Sequence, residues 1–254
     1  ETGTGLTPRR PRVALELPAD HDPLWPGWPW LAALFWHMLG LQRQGLNRTA
    51  VEVCKLLLAT MLPRDPLHVL VHIDLLCLRA CQYDLLRQLA MHLLPQHSPG
   101  EEGRVMRLDC ILPNFAYSMA LALQLSLGGA PDIAALNQVA VADVLPSQQE
   151  GVVDCASSTD DAAIAPHAAL MRAMLLFPQV LRPLLQGVGL KLDMPAPAGS
   201  PYRGTWEAIL ALPPFENFGK FRHSRLFLPH ALLADAYARH CTQLWRGDAM
   251  LCWL

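Results

Sequence analysis

Three residues in the first third of the sequence have side chains of the types that bind zinc: His72, Cys77 and Cys81. Cys77 and Cys81 are four residues apart, which places both thiols on one face of a helix. A structural zinc site needs four ligands, usually arranged as two close pairs, and no second pair stands out. These residues also lie in an apolar run, where cysteine packs as a small hydrophobic residue. We therefore interpret the cysteines as core residues and predict neither a metal site nor a cofactor.

Two acidic pairs, Glu101-Glu102 and Asp160-Asp161, have the chemistry for acid–base catalysis. Paired carboxylates perform that work only when a pocket holds them rigidly. Both pairs fall in predicted loops, so solvated charge is the better interpretation. The sequence has no glycine-rich phosphate loop, no H-E-x-x-H and no G-x-S-x-G motif. We predict a protein without catalytic residues.

Five polar residues occur where a helical core would not select them: Arg48, Glu52, Asp74, Arg79 and Asn114. One interpretation, which we favour, is local ion pairing and helix capping, worth about 0.3–1 kcal/mol each. The other is that these residues line a groove that binds a protein partner. The sequence alone leaves both interpretations open.

Composition limits the possible functions. Of the 254 residues, 52 % are hydrophobic and 17 % are charged, and a disordered chain needs the reverse balance. The net charge is -2, whereas binding to nucleic acid depends on clustered positive charge. The sequence shows no secretory signal and no apolar run of the roughly 20 residues that span a bilayer. We expect a cytoplasmic protein that binds neither DNA nor membranes through this segment, and a nuclear role stays open.

Apolar residues recur at three- and four-residue steps along most of the chain, which predicts an all-α protein. The first predicted helix covers residues 28–44. The second starts at a cap formed by Asn47 or Thr49 and runs to residue 62, and the next two cover residues 66–80 and 83–94. Further helices are predicted over residues 113–127, 132–145 and 166–187, with two or three more between residues 205 and 254. No window shows the sustained alternation of a β-strand.

A degenerate repeat indicates how these helices are arranged. Both copies place a glycine five residues before an alanine and end at a proline: Gly45, Ala50 and Pro63, then Gly129, Ala134 and Pro146. This spacing is typical of the second half of a tetratricopeptide repeat, although the tryptophan motif of the first helix is missing. We predict a tetratricopeptide-like solenoid of antiparallel helix pairs with a concave groove.

The predicted domain organisation follows from proline, glycine and polar residues. Residues 1–24 form a loose lead-in, and residues 25–254 form a single helical-repeat domain. Flexible insertions are predicted near residues 146–165 and 192–203.

Four blocks of the sequence resemble the C-terminal region of the transcription factor 25 family, also called the ribosome quality control complex subunit 1 family. The blocks are Arg48–Leu58, Asp65–Leu67, Leu112–Ser118 and Phe177–Leu185. They are similar to the family's R-T-A-L-E-x-C-K-L-L-L, D-P-L, L-P-N-F-A-F-S and F-P-x-V-L-x-P-L-L. The resemblance covers most of residues 28–254. The two insertions and the tryptophan-rich start at residues 25–30 have no match.

The resemblance implies a non-catalytic scaffold in ribosome-associated quality control. The implied partners are a Listerin-type E3 ubiquitin ligase, ubiquitin, the 60S ribosomal subunit with a stalled nascent chain, and an AAA segregase. The scaffold would help the ligase build degradation-type ubiquitin chains, and the chemistry would belong to the partners. Two alternatives stay open, a transcriptional repressor and a generic tetratricopeptide-like adaptor. A DNA-binding repressor of the basic-helix type needs a basic helix leading into a dimer, which this segment lacks.

Overall fold

A computed structural model describes residues 25–62, 64–92, 94–95, 105–128, 148–149, 152–153, 166–193, 204–221 and 228–254. The predicted lead-in, the predicted helix over residues 132–145 and most of the two predicted insertions lie outside these residues. The described part of the chain is mostly helical, which confirms the all-α prediction.

The described helices are, in chain order, α1 Trp28–Arg43, α2 Asn47–Met61, α3 Leu70–Arg79, α4 Tyr83–His92, α5 Pro113–Ser126, α6 Pro166–Leu176, α7 Leu181–Val188, α8 Trp206–Leu210, α9 Pro213–Phe221, α10 Leu228–Cys241 and α11 Asp248–Trp253. Three short 3₁₀ segments accompany them, at Leu108–Cys110, Pro178–Val180 and Thr242–Leu244.

Apart from an isolated bridge residue at Thr205, extended structure in the described residues consists of two antiparallel ladders of two residues per strand. Strand β1 (Leu94–Pro95) pairs with β2 (Val105–Met106), and β3 (Gln148–Gln149) pairs with β4 (Val152–Val153). In the first ladder, Leu94 lies opposite Met106. Neither ladder has the length of an ordinary strand, which is about 5–6 residues.

The chain divides into two compact units, Glu1–Leu76 and Cys77–Leu254, and the boundary falls within α3. The prediction of one continuous helical-repeat domain over residues 25–254 stays a prediction.

In the first unit, α1 and α2 form a helical hairpin. The turn between them depends on Gly45, whose φ of 79° lies in the left-handed region that a residue without a Cβ adopts at low cost. The amide of Leu46 donates to the carbonyl of Leu41 at 3.0 Å and closes the end of α1. Leu31 and Met38 of α1 are fully buried, as the periodicity predicts.

Helix α3 begins at Leu70, four residues later than predicted, because Asp65 organises the preceding turn. The two carboxylate oxygens of Asp65 accept hydrogen bonds from the amides of Val69 and Leu70, each at 2.8 Å. A carboxylate at this end satisfies amides that have no partner inside the helix. Pro66, which we predicted to open α3, lies in this turn.

Helix α5 is central to the second unit, where it contacts α4, α6 and α10. Eleven of its 14 residues are buried, as expected of a helix that neighbours cover on several sides. Pro113 occupies its first turn, where the missing amide hydrogen has no helical partner to lose.

The predicted helix over residues 166–187 is interrupted near Pro178. Helix α6 ends at Leu176, and the segment from Pro178 to Val188 continues at 89° to it. Since proline removes an amide donor and clashes with the preceding turn, the break falls where the sequence predicts it. Pro183 is tolerated because it lies in the first turn of α7.

The described residues of the C-terminal part, 204–221 and 228–254, form four helices, α8 to α11, one more than the largest number predicted. The sequence analysis underestimated the number because α8 and α11 are only five and six residues long. Helices this short show less than two turns of periodicity. Trp245 and Trp253 anchor this part of the chain and are almost completely buried.

Candidate functional site

Three of the five polar residues predicted to bind a partner belong to the first unit. Arg48 and Glu52 are exposed on α2, and Asp74 in α3 is only 1 % exposed. Glu52 pairs with Lys55, whose Nζ lies 2.7 Å from Glu52 Oε2. An exposed pair at this spacing contributes about 0.3–0.5 kcal/mol. Arg48 and Glu52 are therefore accessible to a partner, whereas Asp74 is not.

The other two predicted residues belong to the second unit. Arg79 is half-buried, and its Nη2 donates to Oε1 of Gln243 at 3.4 Å. Asn114 is 2 % exposed in the first turn of α5. Burial of Asn114 fits a role in the fold and leaves no surface for direct contact. Whether any of the five residues binds a partner stays a prediction.

The cysteines separate into buried and exposed positions. Cys54, Cys77 and Cys241 are buried, as predicted for core residues, but Cys81 is exposed. Cys81 lies just after α3 with a φ of 56°, in the left-handed region. Its amide donates to the carbonyl of Leu78 at 3.2 Å. Cys81 therefore ends the helix, and the prediction that it packs in the core is wrong.

A buried cluster of charged side chains lies in the second unit and consists of Arg107, Asp109 and Arg172. Arg107 forms a bidentate pair with Asp109, in which Nε donates to Oδ1 at 3.0 Å and Nη2 donates to Oδ2 at 2.9 Å. Arg172 donates from Nη2 to Oδ2 of the same carboxylate at 2.5 Å. The exposed fractions are 6 % for Arg107, 1 % for Asp109 and 14 % for Arg172. We call these residues the arginine–aspartate cluster.

Packing of α5 against its neighbours assembles this cluster. Asp109 lies in the 3₁₀ segment Leu108–Cys110, directly before α5, and Arg172 lies on α6. The amide of Leu112 donates to the carbonyl of Leu108 at 2.8 Å and fixes the segment against the start of α5. Because α5 contacts both α6 and this segment, Arg172 reaches a carboxylate 63 residues earlier in the chain.

Two guanidinium groups of the cluster share the Asp109 carboxylate. Bidentate arginine–carboxylate pairs are among the stronger hydrogen-bonded contacts in proteins. Removing charged groups from water costs several kcal/mol per ion unless each is well paired. The close contacts of Asp109 with both arginines therefore offset the cost of burying its charge.

A shallow hollow borders the cluster and is partly open to solvent. Arg107 and Arg172 line it together with Arg87 of α4, which is exposed. The remaining lining residues are apolar: Met91, Met119, Leu123 and Ala169. We call it the arginine pocket.

Sequence reasoning missed the arginine pocket. Arg107 and Asp109 lie between the predicted helices over residues 83–94 and 113–127, and the sequence analysis does not single out Arg172. One signal was available, because Arg172 is the only charged residue within the apolar helix α6. A lone charge in an apolar helix needs a partner when it is buried. Which residue serves as that partner depends on the tertiary packing.

An aromatic cluster holds the helices of the second unit together. The hydroxyl of Tyr117 donates to the carbonyl of Phe177 at 3.2 Å, and burial raises the pKa of that hydroxyl far above its usual range. The indole of Trp253 donates to Nδ1 of His167 at 2.9 Å and stacks on Trp245 with 6.0 Å between ring centroids. Buried aromatic groups with satisfied polar ends stabilise this core.

Within the described ranges, no group of three or more His, Cys, Asp or Glu side chains is placed to hold a metal ion. In the same part of the chain, no single helix is long and apolar enough to cross a membrane. The bent pair Pro166–Leu176 and Pro178–Val188 passes that test of length and composition when taken together.

The described residues thus define an all-α protein whose second unit contains a buried arginine–aspartate cluster and an aromatic core. The chain belongs to the Tcf25 family, whose model, described as Transcriptional repressor TCF25, matches residues 30–254.

Curated relatives share a common name. The chain is 30 % identical over 224 residues to a Homo sapiens protein named Ribosome quality control complex subunit TCF25, an alignment that covers 87 % of this chain. Proteins of the same name from Mus musculus and Dictyostelium discoideum are 32 % and 29 % identical over 63 % and 64 % of the chain.

The alignments span only 26 %, 19 % and 20 % of the lengths of these three relatives. The chain thus spans about a quarter of the length of the human relative and about a fifth of the length of the other two. No solved structure matches the chain.

Proposed function

We propose that this chain is a non-catalytic scaffold subunit of a ribosome quality control complex. The family match over residues 30–254 carries the proposal, together with relatives that are named as subunits of such a complex. The match spans both compact units, so the proposal concerns the described helices rather than a short motif.

The proposed scaffold binds a Listerin-type E3 ubiquitin ligase and ubiquitin beside a 60S subunit that carries a stalled nascent chain. It holds the reacting groups in one geometry, which accelerates a reaction without any chemistry by the scaffold itself. The product is a degradation-type ubiquitin chain, and an AAA segregase then extracts the nascent chain. We propose that the protein acts in the cytoplasm, with a nuclear pool as a second location.

We further propose that helix pairs of the tetratricopeptide type form the scaffold. The α1–α2 hairpin supports this arrangement, because Gly45 has the left-handed conformation at the turn and Ala50 is fully buried, where two helices approach closely. The second predicted copy, with Gly129 and Ala134, lies outside the described residues.

Co-sedimentation tests the proposed complex. The tagged chain is expressed in cells with an inducible stalling reporter, and the lysate is separated on a sucrose gradient. We expect the chain in the 60S fractions, and we expect capture of the chain from those fractions to recover the ligase. Recovery of the chain only at the top of the gradient, without the ligase, would count against this function.

Charge-reversal variants test whether the accessible predicted residues contact the partners. We expect Arg48→Glu and Arg79→Glu to reduce ligase-dependent ubiquitin chains on the stalled reporter, because reversing a contact charge creates repulsion. The matched controls are Arg43→Glu for the first unit and Arg239→Glu for the second, since both arginines are exposed. If all four folded variants support equal formation of ubiquitin chains on the reporter, Arg48 and Arg79 do not contact the partners.

A second candidate function is transcriptional repression, which the description of the family favours. This segment has a net charge of -2, so it is poorly suited to a phosphate backbone, and repression would act through a bound regulator. A duplex-DNA shift assay at low salt and a promoter reporter separate the two candidates. Repression without association with ribosomal subunits would favour the second. A chain with neither activity would fit a generic adaptor.

A further inference from the structure

We infer that one face of α1 binds a second copy of this chain, with the two α1 helices packed antiparallel. The inference goes beyond the proposed function, since it concerns a helix surface of the first unit and does not depend on the complex to which the chain belongs. We call this surface the α1 outer face. It consists of Pro29, Trp30, Ala33, Trp36, His37 and Gly40.

Helix α1 is apolar on nearly all sides. Its one charged residue is Arg43, in the last turn. A helix that is apolar all round is normally covered by neighbours on every side. In the first unit, α2 contacts α1, and the ring of Phe35 lies 5.5 Å from that of His72 of α3 between centroids. Leu31 and Met38 are fully buried, whereas the opposite side of the helix, the α1 outer face, is open.

Two tryptophans of the α1 outer face are exposed to an unusual extent. Trp30 is 46 % exposed and Trp36 is 64 % exposed. Trp36 contacts the edge of Phe35, with 6.2 Å between ring centroids, and more than half of its surface is still open. Tryptophan is enriched where proteins associate, because its large apolar ring gains much from burial. Exposed tryptophans on a helix face without charge therefore indicate an interaction surface.

Small residues flank Trp36 on the same side of the helix. Ala33 lies one turn before it and Gly40 one turn after it. Ala33 is exposed, and a Cβ added to Gly40 would meet no other described group within 4 Å. Glycine inside a helix lowers stability relative to alanine, and packing among the described residues does not require it here. The α1 outer face thus presents one large side chain between two small ones.

This pattern of sizes fits a second copy of the same helix in the antiparallel direction. With Trp36 of each copy opposite Ala33 of the other, Pro29 also lies opposite Gly40, because Pro29 precedes Ala33 by four residues and Gly40 follows Trp36 by four. Each tryptophan then packs over an alanine, and large side chains interlock with small ones. In a parallel pair each residue would meet its own copy, so the two Trp36 rings would compete for one space.

The charges favour the same arrangement. Identical surfaces repel each other when like charges meet, and the α1 outer face contains no Asp, Glu, Lys or Arg. Arg43 follows the face at one end of the helix. In the antiparallel pair the two Arg43 residues lie at opposite ends of the interface, about 25 Å apart along the helix axis. A parallel pair would bring them together.

The available area predicts a weak dimer. From the exposed fractions of Trp30 and Trp36, two copies can cover roughly 550 Å² of tryptophan surface, at about 250 Å² for a whole side chain. The exposed residues Pro29, Ala33 and His37 raise this to roughly 900 Å², close to the lower limit of about 1,000 Å² for a specific interface. We therefore expect a reversible dimer with a dissociation constant of about 10–100 µM.

Analytical ultracentrifugation of the 254-residue chain, from about 2 to about 200 µM, tests the inference. We expect the mean mass to rise from that of the monomer toward that of the dimer. Trp36→Ala should weaken association at least about tenfold, as expected for a central tryptophan. The matched control is Leu56→Ala, since Leu56 is 46 % exposed on α2 of the same unit. A monomer throughout the range, or equal weakening by both changes, would overturn the inference.

A size exchange tests the antiparallel register. Ala33→Trp alone places two large rings opposite each other, so it should also weaken association about tenfold. The double variant with Ala33→Trp and Trp36→Ala again has a large side chain opposite a small one. It should associate within about threefold of the unmodified chain. Circular dichroism checks that each variant is folded. A double variant that associates no better than the single variants would contradict this register.

Other occupants of the α1 outer face give different results. A chain that stays monomeric but floats with phosphatidylcholine vesicles, and loses this ability in Trp36→Ala, would assign the face to lipid. A monomeric chain that forms a crosslink to another protein in cells, from a photoreactive group at position 33, would assign it to that protein. Either result would overturn the inference. The proposed function is measured separately in ribosomal fractions, so failure of one proposal leaves the other standing.

Discussion

Removing the negative charge of Asp109 should destabilise the second unit strongly. In Asp109→Asn the side chain keeps its shape, but Arg107 and Arg172 lose the carboxylate between them. Breaking a buried ion pair by removing one partner costs about 3–5 kcal/mol, because the charge left behind is uncompensated. We expect the lower end, about 3 kcal/mol, since Arg172 is partly exposed and can turn toward water.

Removing Arg172 should lower the free energy of unfolding much less, because Arg107 keeps both of its hydrogen bonds to Asp109. We expect Arg172→Met to lower the free energy of unfolding by about 1 kcal/mol, as one charge-assisted hydrogen bond is lost and apolar contact is partly retained. In the double variant the repulsion between the two arginines is absent. The double variant should therefore lose less unfolding free energy than the sum of the two single-variant losses. The difference, which is the coupling energy, should be about 1–2 kcal/mol.

Urea unfolding of the four proteins measures these quantities, with the NMR indole signals of Trp245 and Trp253 reporting on the second unit alone. A loss of about 3 kcal/mol corresponds to about 6–12 °C in the melting temperature of a unit this size. Arg239→Gln, at an exposed position of the second unit, is the control and should change stability by under about 0.5 kcal/mol. A loss below about 1 kcal/mol for Asp109→Asn, or additive costs in the double variant, would refute the reasoning.

Two further predictions concern backbone conformation and pH. Cys81→Gly should stabilise the protein by about 0.5–1 kcal/mol in urea unfolding, because glycine adopts a φ of 56° without strain, whereas Cys81→Ala should give no such gain. Burial raises the pKa of Tyr117. Above the ordinary tyrosine pKa, the unfolded chain therefore loses a proton that the native chain keeps. The free energy of unfolding should then fall by up to about 1.4 kcal/mol per pH unit. Tyr117→Phe should flatten the dependence between pH 10 and 11.5, and parallel curves for the two proteins would contradict this.

Local sequence signals predicted the helices with long periodic patterns well. Helix α1 was predicted over residues 28–44 and spans Trp28–Arg43, because its apolar period and the following Gly45 define both its face and its end. The start of α3 was predicted four residues early, because proline is common in the first turn of a helix and Pro66 was taken as that start. In the structure, the Asp65 carboxylate instead accepts hydrogen bonds from the amides of Val69 and Leu70. Such a cap is set by three-dimensional geometry that a periodicity argument does not include.

The arginine pocket could not be predicted in the same way. Arg107 and Asp109 are near neighbours in the chain, but Arg172 joins them only through the packing of α5 on α6. The same types of residue at the same spacing would form an ordinary exposed pair if α6 packed elsewhere. Burial therefore decides the role of these charges, and burial is a property of the tertiary fold.

The sequence blocks that resemble the family explain why its partners are harder to assign than its fold. Tyr117 of the block Leu112–Ser118 donates its hydroxyl hydrogen to the carbonyl of Phe177, the first residue of the block Phe177–Leu185. Both of these residues are buried, so the two blocks are linked inside the core. Resemblance between buried residues transfers the packing of helices from one protein to another. A partner touches exposed groups, which contribute little to that packing, so the packing does not identify the partner.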